Sequence, residues 1–456
     1  MAGICKYVFE PDEGGGSSKT SLNSAWECPH PAHADGDYCV FHLGTESRRI
    51  AGVSDDEVRN AFVRTVESTE PGEPCRFIGA SFGATVVEKE RFGENARIID
   101  LRNAEFDGRF ELESDVVGSH IIADYSNLEI FGASSTVFEG GVSFRGCSFD
   151  GKVNLDSTRF MDKVLFEKAV FDLSAEFSEA VFEKGANFRL SKQKGAQTSF
   201  KNAVFRDDTY MSRVNFDKAD FTGAEFHGDT EFTGATFNKE TKFQYSDFDG
   251  SVDFGNSEFN GNSVFRGASF TERASFEDAS FQGWSSFLDV ELKDDVSFES
   301  VWFKSELNMV AESENNAIID FTGARTGKAS FEIESEKPVA LDFVRARVGN
   351  ISISADSKNP LDSTRFVETK FNGFRFSEYA DHLAEKNYVI HESAVKKEED
   401  VSLPSLEKTY RLAAEGAKGD DKSIASKFAK KEAKYRRKKY RDEGKILRYL
   451  LDFLPF

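Results

Sequence analysis

The chain has 456 residues and a net charge of −21, and 46 of its residues are Phe, against 3 Trp and 11 Tyr. It shows no secretory signal and no apolar stretch of the roughly 20 residues that a membrane helix needs, and an odd count of 5 Cys argues against a disulfide framework. These features argue against a disulfide-rich secreted protein or a membrane-spanning one, and they predict a cytoplasmic protein with an acidic, soluble body.

Four residues near the N-terminus form the one constellation with metal-binding chemistry. Cys5, Cys28, Cys39 and His42 are separated by 22, 10 and 2 residues. Thiolates and a neutral imidazole suit tetrahedral zinc, and a closed set of four ligands is typical of a structural site. Residues 1–45 are rich in Gly, Ser, Asp and Pro and cannot build a core alone, so the sequence predicts a small zinc-stapled cap.

Two further histidines leave the ligand set open. His30 and His33 lie between the second and third cysteines and could replace one of the four ligands. Reduced, unpaired cysteines are the alternative to a metal site.

A capping box formed by Ser54 and Glu57 predicts a helix just after this segment. Val58 and Phe62 lie on one face of that helix, and the Pro-Gly pair at residues 71–72 ends it. A terminal cap is expected here because the first coil of a solenoid would otherwise expose its core and an unpaired strand edge.

Phe recurs at alternating intervals of five and six residues from Phe138 to Phe303, with Leu in a few of the positions. This spacing fits neither a helix nor a half-buried strand, and it indicates a repeat architecture. A small residue often stands two positions before the Phe, as in Ala219-Asp220-Phe221. Residues at i and i−2 of an extended segment face the same side, so Ala and Phe are expected to face inward and the residue between them to face water.

This pattern resembles the Phe-rich variant of the pentapeptide-repeat family. The resemblance implies a mainly β fold, a right-handed quadrilateral β-helix with four repeats in each coil. Two pairs of five plus six residues then make a coil of 22 residues. Stacked coils would pair backbone to backbone at ~4.8 Å, with Phe rings stacked along the axis.

The repeat region is expected to extend beyond its most regular part. The rhythm weakens before Phe138 and changes to intervals of ten residues after Phe303, but the inward-facing positions keep their phase over residues 77–376. The segment 189–199 contains no Phe and predicts an outward loop, which is either a binding loop or a tolerated insertion.

The last 80 residues differ in kind, because apolar residues at helical spacing predict an αα-hairpin there. Residues 421–445 carry 11 Lys or Arg against 4 Asp or Glu, and eleven mostly apolar residues follow them. Basic residues beside an apolar stretch suit an anionic membrane surface, although the same amphipathic pattern would serve a helix that folds back onto the last coil. The expected membrane or partner contacts are Lys430, Lys431, Lys434, Arg436, Arg437, Lys438, Lys439 and Arg441.

The segment from Tyr410 to Arg437 also resembles a module of archaeal pentapeptide-repeat proteins. There it often leads into membrane-spanning helices that resemble an ion-channel pore. This chain stops at Phe456, where the first span would begin, so a channel activity is not carried over. The resemblance leaves surface attachment or a channel-less relative as expectations.

We therefore expect three parts, an N-terminal Cys/His segment with its capping helix at 1–72, a β-helix at 73–376 and a basic α-helical module at 377–456.

No Gly-rich phosphate loop, His-Glu-x-x-His or Gly-x-Ser-x-Gly motif is present, which predicts a non-catalytic scaffold or binding protein. The alternatives are a membrane-peripheral or channel-associated protein and a DNA-mimicking inhibitor of a DNA enzyme. The expected partner is a protein. An anionic membrane and a second copy of the chain are further candidates, and nucleic acid is not expected.

Overall fold

The structure is a computed structural model that describes residues 3–10, 25–34, 36–195, 197–334, 339–355, 359–393 and 401–452. The chain separates into two compact units, Met1–Lys239 (unit 1) and Glu240–Phe456 (unit 2), and each is described by itself. Both are built mainly from short strands, and the fold is the predicted mainly β solenoid. The boundaries expected at residues 72 and 376 stay predictions.

Each full coil passes through four faces, which we name A to D, and equivalent strands of successive coils pair in parallel. On face A of unit 1, Val142 pairs with Val164, 22 residues later, as the repeat predicts. Where two faces are given for one strand below, the strand bends from one face onto the next.

In unit 1, the strands of face A are Pro74–Arg76, Ile98–Asp100, His120–Ile122, Val142–Ser143, Val164–Leu165, Ala186–Asn187, Thr209–Tyr210 and Thr230–Glu231. Those of face B are Ser81–Phe82, Glu105–Glu113 (B and C), Asn127–Gly132 (B and C), Ser148–Phe149, Val170–Phe171, Lys192–Gln193, Asn215–Phe216 and Thr236–Phe237. Face C also has Thr85–Glu88, Val153–Asn154, Ala175–Glu176, Gln197–Ser199 and Lys218–Asp220. Face D has Arg91–Phe92, Val116–Val117, Val137–Phe138, Arg159–Phe160, Val181–Phe182, Val204–Phe205 and Glu225–Phe226.

In unit 2, the strands of face A are Val252–Asp253, Ala274–Ser275, Val296–Ser297, Ala317–Asp320, Val339–Asp342 and Thr364–Arg365. Those of face B are Glu258–Phe259, Ser280–Phe281, Trp302–Glu312 (B, C and the start of D), Arg325–Ile333 (B and C), Arg347–Ala355 (B and C) and Lys370–Phe371. Face C also has Thr241–Lys242, Ser263–Val264 and Ser285–Leu292 (C and D), and face D has Asp247–Phe248 and Ser269–Phe270.

The alternation of five and six residues follows from two kinds of corner. The five-residue steps, from face A to B and from C to D, contain a tight turn closed by an i to i+3 backbone bond, such as Cys147 N–H to the Phe144 carbonyl at 3.2 Å. The third residue of such a turn takes the left-handed conformation typical of a type II turn. Gly146 occupies it in this coil, but Tyr125 (φ 62°) and Leu190 (φ 59°) occupy it elsewhere. The stacked coils therefore impose this conformation even on residues that disfavour it.

The interior is filled by aromatic rings that stack from coil to coil. The rings of Phe182 and Phe205 lie 4.7 Å apart and 1° from parallel, and those of Phe259 and Phe281 lie 4.5 Å apart and 2° from parallel. All four side chains are buried, while the residues that precede them on the strand are partly or fully exposed. The inward and outward assignment made from the repeat is correct for these strands.

The predicted outward loop at residues 189–199 is wrong in the described residues, because that segment continues the coil. Lys192 pairs with Val170 on face B, and Gln197–Ser199 is a strand of face C. Gln193 is buried at the position where other coils place Phe. The absence of Phe removed the sequence signal, but backbone pairing with the neighbouring coils keeps the path.

Helices cover the first coil of unit 1. Helix α1 (Thr45–Ala51) and helix α2 (Asp55–Glu67) follow the Cys/His segment, and α2 begins with the predicted capping box at Ser54. Phe62 of α2 packs against the rings of Phe77 and Phe82 at 4.9 and 5.4 Å. The cap therefore shields the first rings of the Phe stack from water.

Helices also cover the last coil of unit 2. A 3₁₀ turn at Phe376–Tyr379 leads into α3 (Ala380–Glu385), and α4 (Leu403–Ala417), α5 (Lys422–Asp442) and α6 (Ile446–Leu451) follow. Gly416 of α4 lies so close to the last coil that an added Cβ would be 2.5 Å from the Cβ of Phe371. Phe428 of α5 packs 5.0 Å from Phe376. The αα-hairpin was thus predicted correctly, and of its two expected roles the packing onto the last coil is observed.

Replacing one stacked ring should cost far more stability than replacing its outward neighbour on the same strand. We expect Phe259→Ala to lower the free energy of unfolding by about 3–5 kcal/mol, the range for large-to-small changes in cores. Glu258→Ala, one residue earlier and exposed, should change it by no more than about 0.5 kcal/mol. Chemical denaturation measures both, and equal losses would contradict the assignment of Phe259 to the interior.

Candidate metal centre

Local backbone pairing brings the four predicted ligands together. The strands Val8–Phe9 and Trp26–Glu27 pair antiparallel, which places Cys5, just before the first, beside Cys28, just after the second. The Cys28 N–H donates to the Tyr7 carbonyl at 3.0 Å. Cys39 and His42 then share one tight turn, in which the His42 N–H donates to the Cys39 carbonyl at 3.0 Å.

The ligand atoms of Cys5, Cys28, Cys39 and His42 all lie within 4.8 Å of one another. Cys39 Sγ is 3.2 Å from His42 Nδ1 and 3.7 Å from Cys28 Sγ, and Cys5 Sγ is 3.8 Å from the same nitrogen. The three cysteines are buried and no disulfide joins any of the five. Three sulfur atoms and one nitrogen at these separations suit the tetrahedral coordination of a single ion.

The orientation of His42 is fixed by a bond on the far side of its ring. Its Nε2 lies 3.0 Å from the Ile78 carbonyl oxygen, which can only accept, so Nε2 carries the proton. Nδ1 then presents its lone pair to the sulfur atoms, as a metal-ligating imidazole requires. Tyr7 stacks on the ring at 3.8 Å and 9° from parallel. Ile78 and Tyr7 are supporting groups that the spacing of the ligands did not reveal.

Backbone N–H groups point at the sulfur atoms. The Cys39 N–H donates to Cys5 Sγ at 3.2 Å. A hydrogen bond from Cys28 lowers the pKa of Cys39 to about 4, against the effect of burial, and the backbone of Phe41 also lowers it. The hydrogen bond to Cys39, together with burial, raises the pKa of Cys28, and burial raises that of Cys5. Without an ion, a single thiolate is therefore favoured, and a cation would favour all three.

The two alternative histidines are not part of this cluster. Nε2 of His30 donates to the Arg76 carbonyl at 3.0 Å, and its ring stacks on Phe77 at 5.4 Å. His33 lies outside the group of converging ligand atoms. Of the candidates left open by the sequence, the structure therefore favours His42 as the fourth ligand.

The cluster is attached directly to the first coil of the solenoid. Phe41, which lies between two of the ligands, packs on Phe77 at 4.9 Å, and its carbonyl accepts from the Ser81 N–H at 2.8 Å. A metal at this site would hold the residues that cover the end of the aromatic stack, so its role would be structural.

The repeats are also found by comparison with known proteins. A family model described as Pentapeptide repeats (9 copies) matches residues 133–192, 196–236, 221–267 and 254–302. Residues 133–192 and 196–302 are therefore pentapeptide repeats. No curated protein and no solved structure is significantly similar to the chain.

The basic residues that were expected to contact a membrane or partner lie on α5, and they differ in ion pairing and in exposure. Arg436 pairs with Glu432 and Asp452, Lys439 with Glu407, and Arg441 with Asp442, all within the helical module. Lys430, Lys434 and Lys438, spaced by four residues, are exposed on one stripe, whereas Lys431, Arg436, Arg437 and Lys439 are half-buried. Their role as contacts stays a prediction.

We expect the reduced protein to bind one divalent metal ion per chain, and Cys39→Ser to lose it. Elemental analysis measures the stoichiometry, and limited proteolysis should show faster cleavage of the cap in the variant because Phe41 loses its anchor. Cys75→Ser is the matched control, since Cys75 is a buried thiol of the first coil outside the cluster. Two results together would contradict this expectation: elemental analysis that finds no metal in the wild-type protein, and a chelator that does not speed the proteolysis of its cap.

Proposed function

We propose that the protein is a non-catalytic scaffold that binds another protein on the outer faces of a rigid β-solenoid. The observation that carries this proposal is the filled interior, in which stacked Phe rings leave the outside as the surface available for recognition. Two clefts of 380 and 260 Å³, in the described residues, are open to solvent. The family to which the repeats belong supports a scaffold or binding role of this kind.

We propose zinc as the metal of the N-terminal cap. Three cysteines and one histidine form a soft donor set that suits zinc, and four protein ligands leave no open position for a substrate. Bound there, zinc would supply the rigidity that the short, polar segment around Cys5 and Cys28 cannot obtain from a hydrophobic core. The elemental analysis described above identifies the ion as well as its stoichiometry.

Quantitative capture of partners from a native lysate tests the scaffold proposal. The immobilised wild-type chain should retain one or more proteins saturably, with no chemical turnover of a ligand. A face C variant, Asp156→Lys with Glu176→Lys, and a face B variant, Glu258→Lys with Arg325→Glu, change only outward residues and should keep the melting temperature of the wild type. At least one of them should lose the partner. Retention that is equal in all three, or no saturable retention, would contradict binding through the outer faces.

Mimicry of a DNA duplex receives less support from the charges on face A of unit 1. Mimicry needs carboxylates in rows that are free to face a DNA-binding surface. On face A, Asp100 pairs with Arg102 at 2.5 Å and Asp124 with Arg145 at 3.0 Å, so these carboxylates are neutralised by adjacent cations. We do not propose this function.

Attachment to an anionic membrane is a second candidate, favoured by the exposed apolar side chains of α6. Ile446, Leu447 and Leu450 are 69, 73 and 56% exposed, directly after the helix that carries the exposed lysine stripe. Among the described residues, no helix is both long and apolar enough to cross a bilayer. Peripheral binding through interfacial insertion and charge is the form of attachment that these residues support. Phe453 and Phe456, which belong to the expected apolar end, lie outside the described residues.

Vesicle flotation tests this candidate. The wild type should bind vesicles that contain anionic lipid at low salt, and binding should fall as salt rises, since each lysine near the surface contributes about 1 kcal/mol. The variant Lys430→Glu, Lys434→Glu, Lys438→Glu and the variant Ile446→Asp, Leu447→Asp should each lose binding.

Leu173→Asp provides the matched control, because Leu173 is 45% exposed but lies on the solenoid of unit 1. It should bind vesicles as the wild type does. Wild-type protein that stays unbound at low salt would contradict membrane attachment without touching the scaffold proposal.

A further inference from the structure

A row of basic residues runs across face B in unit 2. Trp302, Arg325, Arg347 and Lys370 each begin a strand, and parallel pairing places each beside the next in successive coils. All four side chains are exposed. The coils are stacked at the strand spacing of ~4.8 Å, so the three cations lie side by side. We call Arg325, Arg347 and Lys370 the basic row.

The cations of the basic row have no anionic partner in the described residues. Their neighbours do, since Lys328 pairs with Glu306 at 2.9 Å and Lys408 pairs with Glu368. Like charges on adjacent strands repel one another. Because the chain as a whole carries a net charge of −21, three unpaired cations in register mark a place where an anionic surface would bind favourably.

One further cation, Lys304, lies beside this row and shares the Trp302 ring with Arg325. Lys304 Nζ lies 4.3 Å and Arg325 Cζ 5.9 Å from the centre of the Trp302 ring. The ring therefore already holds two cations by cation–π attraction. This arrangement suits carboxylates better than a nucleic acid base, which would need the ring face for stacking.

The chain itself carries a complementary row on face B in unit 1. Glu129, Asp150 and Asp172 each follow the inward residue of a strand, and these strands pair in parallel in successive coils. Glu129 and Asp150 are exposed and form no ion pair in the described residues, while Asp172 pairs with Lys194 at 2.9 Å. The Ser148 hydroxyl donates to Asp150 at 2.8 Å. We call these three residues the acidic row.

We propose that the basic row of one molecule docks on the acidic row of a second copy of the chain. Both rows are built on stacked parallel strands and have the same spacing, so the cations of the basic row can face the free carboxylates of Glu129 and Asp150 without a mismatch that grows along the contact. Single ion pairs at a surface contribute little, and the attraction here comes from matched rows. Docking of this kind does not depend on the metal site or on membrane binding.

Charge exchange between the rows tests the proposal. By sedimentation velocity at about 0.1 M salt, where the Debye length is ~10 Å, the wild type should self-associate, and about 1 M salt should abolish this. Two double variants test the rows, one with Arg325→Glu and Arg347→Glu and the other with Glu129→Lys and Asp150→Lys. Each should self-associate at least about tenfold more weakly than the wild type, because like charges then meet. An equimolar mixture of the two variants should associate again, because each supplies the row that the other has lost.

A control separates the rows from the total charge. Lys184→Glu with Lys201→Glu changes the net charge by as much as Arg325→Glu with Arg347→Glu, but at exposed lysines of unit 1. This variant should self-associate like the wild type. Wild-type protein that is monomeric at all concentrations, or variants whose mixture fails to associate, would overturn the proposal. Binding of a single-stranded oligonucleotide that is lost in Arg325→Glu, Arg347→Glu would also overturn it, by assigning the basic row to nucleic acid.

Discussion

Parallel pairing between successive coils is the constraint on which the other features depend. When the backbone of each coil bonds to the next at the strand spacing of ~4.8 Å, every side chain lies directly above its counterpart one coil earlier. An inward position must then hold a group that stacks on copies of itself at that distance. Flat rings do this, as the 4.5 Å separation of Phe259 and Phe281 shows. The same pairing holds Tyr125 and Leu190 in the left-handed backbone conformation, which non-glycine residues disfavour.

A stack of this kind needs different chemistry at a terminus, where a ring has a neighbour on one side only. In unit 1 the cover is short and polar in sequence, and it combines Phe41 and Phe62 with a cluster of three thiols and an imidazole. In unit 2 the cover is an αα-hairpin with apolar residues of its own, among them Phe428 and the stacked pair Tyr410 and Tyr435. The cap that has little core is the one with metal-binding residues, as expected if metal binding supplies its folding energy.

The sequence predicted the solenoid because one position repeats its residue type, and it predicted the metal ligands because thiols and imidazole are scarce in this chain. It did not reveal the carbonyl of Ile78, since backbone groups leave no trace in residue identity. It was wrong about residues 189–199 because Gln193 replaces Phe while backbone pairing, which is independent of side chains, continues through Lys192. It could not separate a capping helix from a membrane-binding one, because Phe428 and Leu447 satisfy the same amphipathic pattern and only tertiary contact distinguishes the buried from the exposed residue.

Stacking in register also governs the outside. A single charge on an ordinary surface has neighbours of arbitrary sign, whereas a charge on this solenoid has the equivalent residue of the next coil beside it. Substitutions at equivalent positions therefore build rows, such as Arg325 and Arg347 or Glu129 and Asp150. Repulsion within a row has to be offset, either by a cation on the same face, as Lys194 does for Asp172, or by an external surface of opposite charge. Recognition by such a protein is then set less by individual residues than by the length, sign and spacing of its rows, and a second solenoid is the partner whose spacing matches without adjustment.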